Sequence, residues 1–199
     1  MVFEVARALA AAQLALFVLA LVFRRTSGPS IRRILGRSNI CFATSLFYVL
    51  AQAHLVHITS LIGPSLLQLQ LTFNPETFCE RVLAWSAEQR AQYIGHFTID
   101  CAFPFAYGLS LCSLLAWRGE RRKSVLALPW IACACDLWEN GMHWVAQQAC
   151  VAQRAVPFGL VPVSGTVSAM KWGLAILCVT RVATGAAYPA PPNVKAKKP

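Results

Sequence analysis

The chain has 199 residues, 57% of them hydrophobic and 13% charged, with a formal net charge of +10 and a mean hydropathy of +0.53. A soluble domain carries about 25% charged residues, so this composition excludes an ordinary soluble fold and points to a multi-pass membrane protein. The Lys and Arg residues gather between apolar runs, where they set topology and meet anionic lipid headgroups, and no nucleic-acid partner is expected.

In chain order, the first apolar run covers residues 8–23 and is followed by Arg24 and Arg25. Glu4 stands where a signal peptide carries positive charge, so the run reads as a retained helix. A second run, 39–62, stops at Gly63-Pro64. Asn74 and Pro75 then make a helix start, a cap followed by a first-turn proline. Phe78, Val82 and Trp85 fall on one face of that helix, about 75–85, which reads as an interfacial amphipathic helix. Ser86 to Gln89 is a capping box. It opens the helix that becomes a third span, 93–117. The fourth span is 125–146 and the fifth 164–183. Residues 185–199 form a Pro-rich basic tail. Its end, "KAKKP", fits the Lys-x-Lys-x-x pattern of retrieval signals in the endoplasmic reticulum. The expected fold is therefore all-α, a single membrane domain (1–184) of five transmembrane helices plus one interfacial helix.

Charge alternation supports five spans. Arg24, Arg25, Arg32, Arg33 and Arg37 crowd the first loop, and Arg118, Arg121, Arg122 and Lys123 the third. The second and fourth loops are poor in basic residues, and the tail is again rich. All rich segments then share one side of the membrane. Most of the cysteines lie in apolar runs and read as small hydrophobes. Their spacing suggests neither a zinc site nor a disulfide framework.

The fourth span carries the main polar constellation. Asp136, Glu139, Asn140 and His143 are spaced +3, +4 and +7, which places them on one helical face. Charge facing lipid costs a few kcal/mol, so that face must look inward. The second span adds His54 and His57, the third His96, Asp100 and Tyr107, and the fifth Lys171. The topology brings these to one half of the membrane. One reading is structural: Lys171 pairs with Asp100, Asp136 or Glu139 and fixes helix register. The others are a proton path or small polar cavity, His–carboxylate acid/base catalysis, or a metal or haem site. No HxxxH pair, Gly-rich phosphate loop or GxSxG occurs, so neither a metal nor another cofactor is expected.

The stretches "WSAEQRAQYIGHFTIDCAFPFAYG", "DLWEN" and "SAMKW" resemble a family of small uncharacterised multi-pass membrane proteins. The matching residues are Asp100, Phe103, Pro104, Tyr107, Asp136, Glu139, Asn140 and Lys171, within residues 76–184. The resemblance implies a helical membrane fold and carries no activity with it. The expected role is a non-catalytic accessory subunit of a larger membrane complex, with other membrane subunits and lipids as partners. The mitochondrial inner membrane is the favoured location, in a respiratory-chain or ATP-synthase type of assembly, and the endoplasmic reticulum is the alternative. The competing function is a small membrane enzyme or a lipid- or proton-handling protein that uses the polar cluster.

Overall fold

The structure, a computed structural model, describes residues 29–63 and 65–185. The expected first span, 8–23, and the tail beyond Gly185 lie outside the described residues. Among the described residues all regular structure is helical: α1 (Pro29–Leu35), α2 (Ser38–Ile58), α3 (Ser65–Gln70), α4 (Pro75–Ala84), α5 (Ala87–Asp100), α6 (Phe103–Trp117), α7 (Lys123–Val151) and α8 (Leu160–Thr184). Two of these, α2 and α8, are long and apolar enough to cross a membrane. The pair α5–α6 makes a third if its two halves form one broken span.

The caps read from sequence are in place. Asn74 accepts a hydrogen bond from the Thr77 backbone N–H, with Pro75 in the first turn of α4. Ser86 and Gln89 bond reciprocally at the start of α5. α2 ends at Ile58, and Gly63 takes a left-handed φ of 55° just past the following turn.

Two expectations are corrected. The third span is not one helix: α5 and α6 meet at Cys101–Ala102 with a bend of 47°. Pro104 lies in the first turn of α6, and a proline has no N–H to continue the preceding helix and clashes with its last carbonyls. The amphipathic face of α4 is not offered to a membrane surface. Phe78 and Val82 are fully buried and Trp85 nearly so, packed with Tyr93, Phe97 and Trp144.

Three apolar clusters stack along the bundle. One gathers Ile62, Leu69, Phe78, Val82, Tyr93, Trp144 and Val161; a middle one holds Tyr107, Trp130, Cys133 and Leu137; the last holds Leu35, Cys112, Leu115, Leu126 and Cys178. The most extensive helix pairing is α7 with α8, followed by α2 with α6 and α6 with α7. Gly108 permits the α6–α7 approach, since a Cβ there would stand 2.4 Å from Cys133 Sγ.

The bundle has two chemically different ends. At one, a Cβ on Gly36 would stand 3.0 Å from the Ala116 carbonyl oxygen, and Glu120 binds Arg122 and Arg181. This is the basic end. At the other, Leu61 exchanges hydrogen bonds with Gln89 and Gln92. There the Thr72 carbonyl also crowds Gly165. A disulfide joins Cys79 to Cys150 at that end, with 5.2 Å between Cα atoms. It corrects the expectation, read from cysteine spacing, that no disulfide would form. The partners are 71 residues apart, and only the docking of α4 on the end of α7 brings them together.

Candidate functional site: a buried charge centre between α5, α7 and α8

α7 runs unbroken from Lys123 to Val151, so the helical spacing of Asp136, Glu139, Asn140 and His143 is kept, and all four are buried. α8 lies antiparallel against that face and supplies Lys171. The Lys171 Nζ stands 2.8 Å from Asp136 Oδ1 and 2.6 Å from Glu139 Oε2. The three side chains are between 0% and 7% exposed. Lys171 Nζ also lies 5.5 Å from the Trp172 ring centroid, within cation–π range.

Asp100, the third carboxylate, sits apart from the lysine contact. Its Oδ2 accepts a hydrogen bond from Asn140 Nδ2 at 2.9 Å and lies 3.8 Å from His96 Nε2. His96 Nδ1 in turn meets the Tyr93 carbonyl. Asn140 adjoins Glu139 in the chain and so ties this second group to the ion triad. His143 Nδ1 bonds the Tyr93 hydroxyl at 3.1 Å, and the Tyr93 ring stacks on His96 at 4.9 Å. Tyr107 adjoins Asp136 and Cys133. It also packs edge-on to Phe103, with 5.6 Å between ring centroids.

The structure thus brings together His96, Asp100, Tyr107, Asp136, Glu139, Asn140, His143 and Lys171. It does not bring in His54 and His57. Both are exposed on α2, away from this cluster. Their i,i+3 spacing told that they share a face but not which way the face turns. Sequence reasoning missed Tyr93 and Gln147. Gln147 was legible, because it stands eight residues after Glu139 and extends the same stripe. Tyr93 stands three before His96, but an aromatic there reads as ordinary core. Glu120 was also missed. Burial pushes its carboxyl up, but hydrogen bonds from the Arg122 side chain and backbone, Arg181 and the Arg121 backbone outweigh that and hold it down at about 2.

Chemically, the centre holds opposite charges at contact distance in a low-dielectric interior, where each ion depends on its partner. Among the described residues, no three His, Cys, Asp or Glu side chains are arranged to hold a metal ion. No family model, no curated protein and no solved structure matches this chain.

Proposed function

We propose that the chain is a non-catalytic integral membrane subunit of a larger membrane assembly, crossing the bilayer five times with residues 8–23 as the first crossing. The observation that carries the subunit reading is the outer face of α2. His54 and His57 are exposed there beside Phe47, Leu50 and Val56, each of which is more than half exposed. Apolar side chains suit lipid, but imidazoles in a bilayer are costly without hydrogen-bond partners. A neighbouring helix that carries Asp, Glu, Asn or Gln would satisfy them.

The Lys171 centre supports a fastening role, since its ions join α8 to α7 by direct contact. The five-span topology draws support from the two bundle ends, one basic and one not, between which α2, α5–α6, α7 and α8 run. The Cys79–Cys150 disulfide adds an independent sign, because disulfides persist in oxidising compartments. It lies on the side that the charge rule assigns away from the cytosol or matrix. The intermembrane face of the mitochondrial inner membrane fits this, and so does the lumen of the endoplasmic reticulum; we retain the former. The resemblance over residues 76–184 to a family of helical membrane proteins belongs with this proposal, because the residues that carry it are those of the centre.

The test is extraction of native membranes in mild detergent. The chain is expected to migrate with stoichiometric partners, and the pair His54→Leu and His57→Leu is expected to release it. A lone 21.8-kDa monomer, unchanged by those substitutions, would overturn the reading.

A further inference from the structure

One turn beyond the charge centre the polar stripe continues, and several of its buried atoms have no protein partner. Glu139, His143 and Gln147 stand at i, i+4 and i+8 on α7, each 2% exposed or less. The contacts of Lys171 with Asp136 and Glu139 hold α8 antiparallel against this stripe, with Ser168 beside the Glu139 carboxylate and Ser164 one turn further toward the Gln147 end. Both serines are buried as well. Yet His143 Nε2 and both amide atoms of Gln147 have no hydrogen-bond partner in the protein. Buried polar atoms of this kind are satisfied by internal water, which takes two to four polar partners per molecule. Gln147 lies four residues from the end of α7, about 6 Å along the axis, so the stripe leads toward the end that carries the disulfide.

The charges in the centre do not balance. Two carboxylates, Asp136 and Glu139, share the single cation of Lys171. Asp100 is a third, with Asn140 and His96 against it. An unbalanced buried carboxylate is costly and is relieved by binding a proton. The groups that face the pair from the packed elements are Tyr93, His96 and Asp100 on α5, Tyr107 on α6, Cys133, Cys135 and His143 on α7, and Lys171 on α8. Among them Lys171 is the one permanent cation.

We propose that Glu139 holds one exchangeable proton and that His143, Gln147 and Ser168 bind a short file of water through which that proton exchanges with the disulfide-bearing side of the membrane. In the loading step a hydronium ion at that surface becomes water, and a new O–H bond forms on Glu139; nothing is oxidised. Lys171 keeps its contact with Asp136, so the bundle is not unfastened. In the unloading step the same bond breaks and the proton returns to water. This inference stands whether or not the chain has protein partners.

Infrared spectroscopy of the full chain in lipid nanodiscs at pH 7 tests it, with heavy water as the probe. A carboxylic-acid C=O band is expected, shifting as deuterium exchanges in. Glu139→Gln should remove it. His143→Leu should leave the band and slow the shift about a hundredfold, the usual worth of a positioned proton-transfer group. His143→Gln should restore most of the rate. Gln147→Met, closer to the helix end, provides a second variant if His143→Leu does not fold. No acid band in the wild type, a band that survives Glu139→Gln, or exchange unchanged in the folded variants would overturn the proposal.

Discussion

α2 and α7 both run the length of the bundle, yet they differ in nearly every respect. α2 is apolar enough to read as a membrane span, and of its 21 residues Cys41 is the buried one. α7 is not among the helices apolar enough to do so, yet it is buried at every turn from Leu126 to Cys150. It also carries Asp136, Glu139 and His143 of the charge centre. The difference teaches what hydropathy measures. A helix at the rim that faces lipid needs a mostly apolar surface, and α2 has one beyond its first turn, apart from His54 and His57. A helix walled in by α4, α5, α6 and α8 meets protein instead, and can carry carboxylates wherever a neighbour supplies the partner.

If α7 is the inner helix, its charges must matter more than anything on α2. Lys171→Met strands two buried carboxylates and should destabilise the protein by about 3–5 kcal/mol. The measurement is a double-mutant cycle on thermal unfolding in detergent. Lys171→Met should couple strongly to Glu139→Gln and to Asp136→Asn, because both oxygens touch Nζ. It should couple weakly to Asp100→Asn, whose carboxylate is bonded to Asn140. Equal coupling to all three would break the division of the centre into a lysine triad and an Asp100 group.

The disulfide sharpens the same contrast, since it pins the end of α7 and leaves α2 free of any covalent tie. Cross-linking across 71 residues restricts the unfolded chain by about 4 kcal/mol in the loop-entropy model, and measured values are commonly 2–4. Cys79→Ser should cost about that much. Reductant should have the same effect on the wild type and none on the variant. A wild type whose melting is indifferent to reductant would show that the bond contributes nothing.

These cases also show how far sequence carries. The stripe Asp136–Glu139–Asn140–His143 was legible because helical spacing alone decides which residues share a face. Lys171 was legible because an intramembrane lysine demands a carboxylate. The two caps were legible because they are local. Three features were not. The break at Cys101–Ala102 sits in an apolar run where one proline outweighs the pattern. The Cys79–Cys150 bond depends on how α4 docks. The outward turn of His54 and His57 depends on which side of α2 meets α6, and a helix with so little polar contrast between its faces does not encode that. The five-span count rests on residues 8–23 and on the charge rule, both outside what the described helices decide.

The basic end tests whether the inner helices are held there by charge. Glu120 joins the α6–α7 loop to Arg181 on α8. Its carboxyl is held at about 2, below its ordinary 4.5. A depressed pKa means that the folded state binds its proton less readily than the unfolded one. The stabilisation is therefore complete above about pH 4.5 and is lost as pH falls through about 2. Both arginines are partly exposed, so screening reduces the gain. Glu120→Gln should cost about 1–2 kcal/mol at pH 7. The gap between variant and wild type should close as pH is lowered toward 2. A gap that stays constant over that range would mean that Glu120 acts by packing alone.

The smallest expected effect bears most directly on the comparison. Leu137 on α7 is fully buried and Leu50 on α2 is 60% exposed. Leu137→Ala opens a cavity in the middle cluster and should cost about 2–5 kcal/mol. Leu50→Ala removes side-chain surface that no described residue covers, so the isolated protein should change by about 0.5 kcal/mol or less. The same leucine stands four residues before His54, one turn along the outer face. If that face meets another subunit, Leu50→Ala should leave the melting of the purified chain unchanged and still weaken its co-purification with partners from native membranes. If it meets only lipid, neither should move, because alanine and leucine are both tolerated by hydrocarbon. A large loss of stability in the isolated chain would mean that Leu50 packs inside the protein, and the contrast between a rim helix and a walled-in helix would fail at its first term.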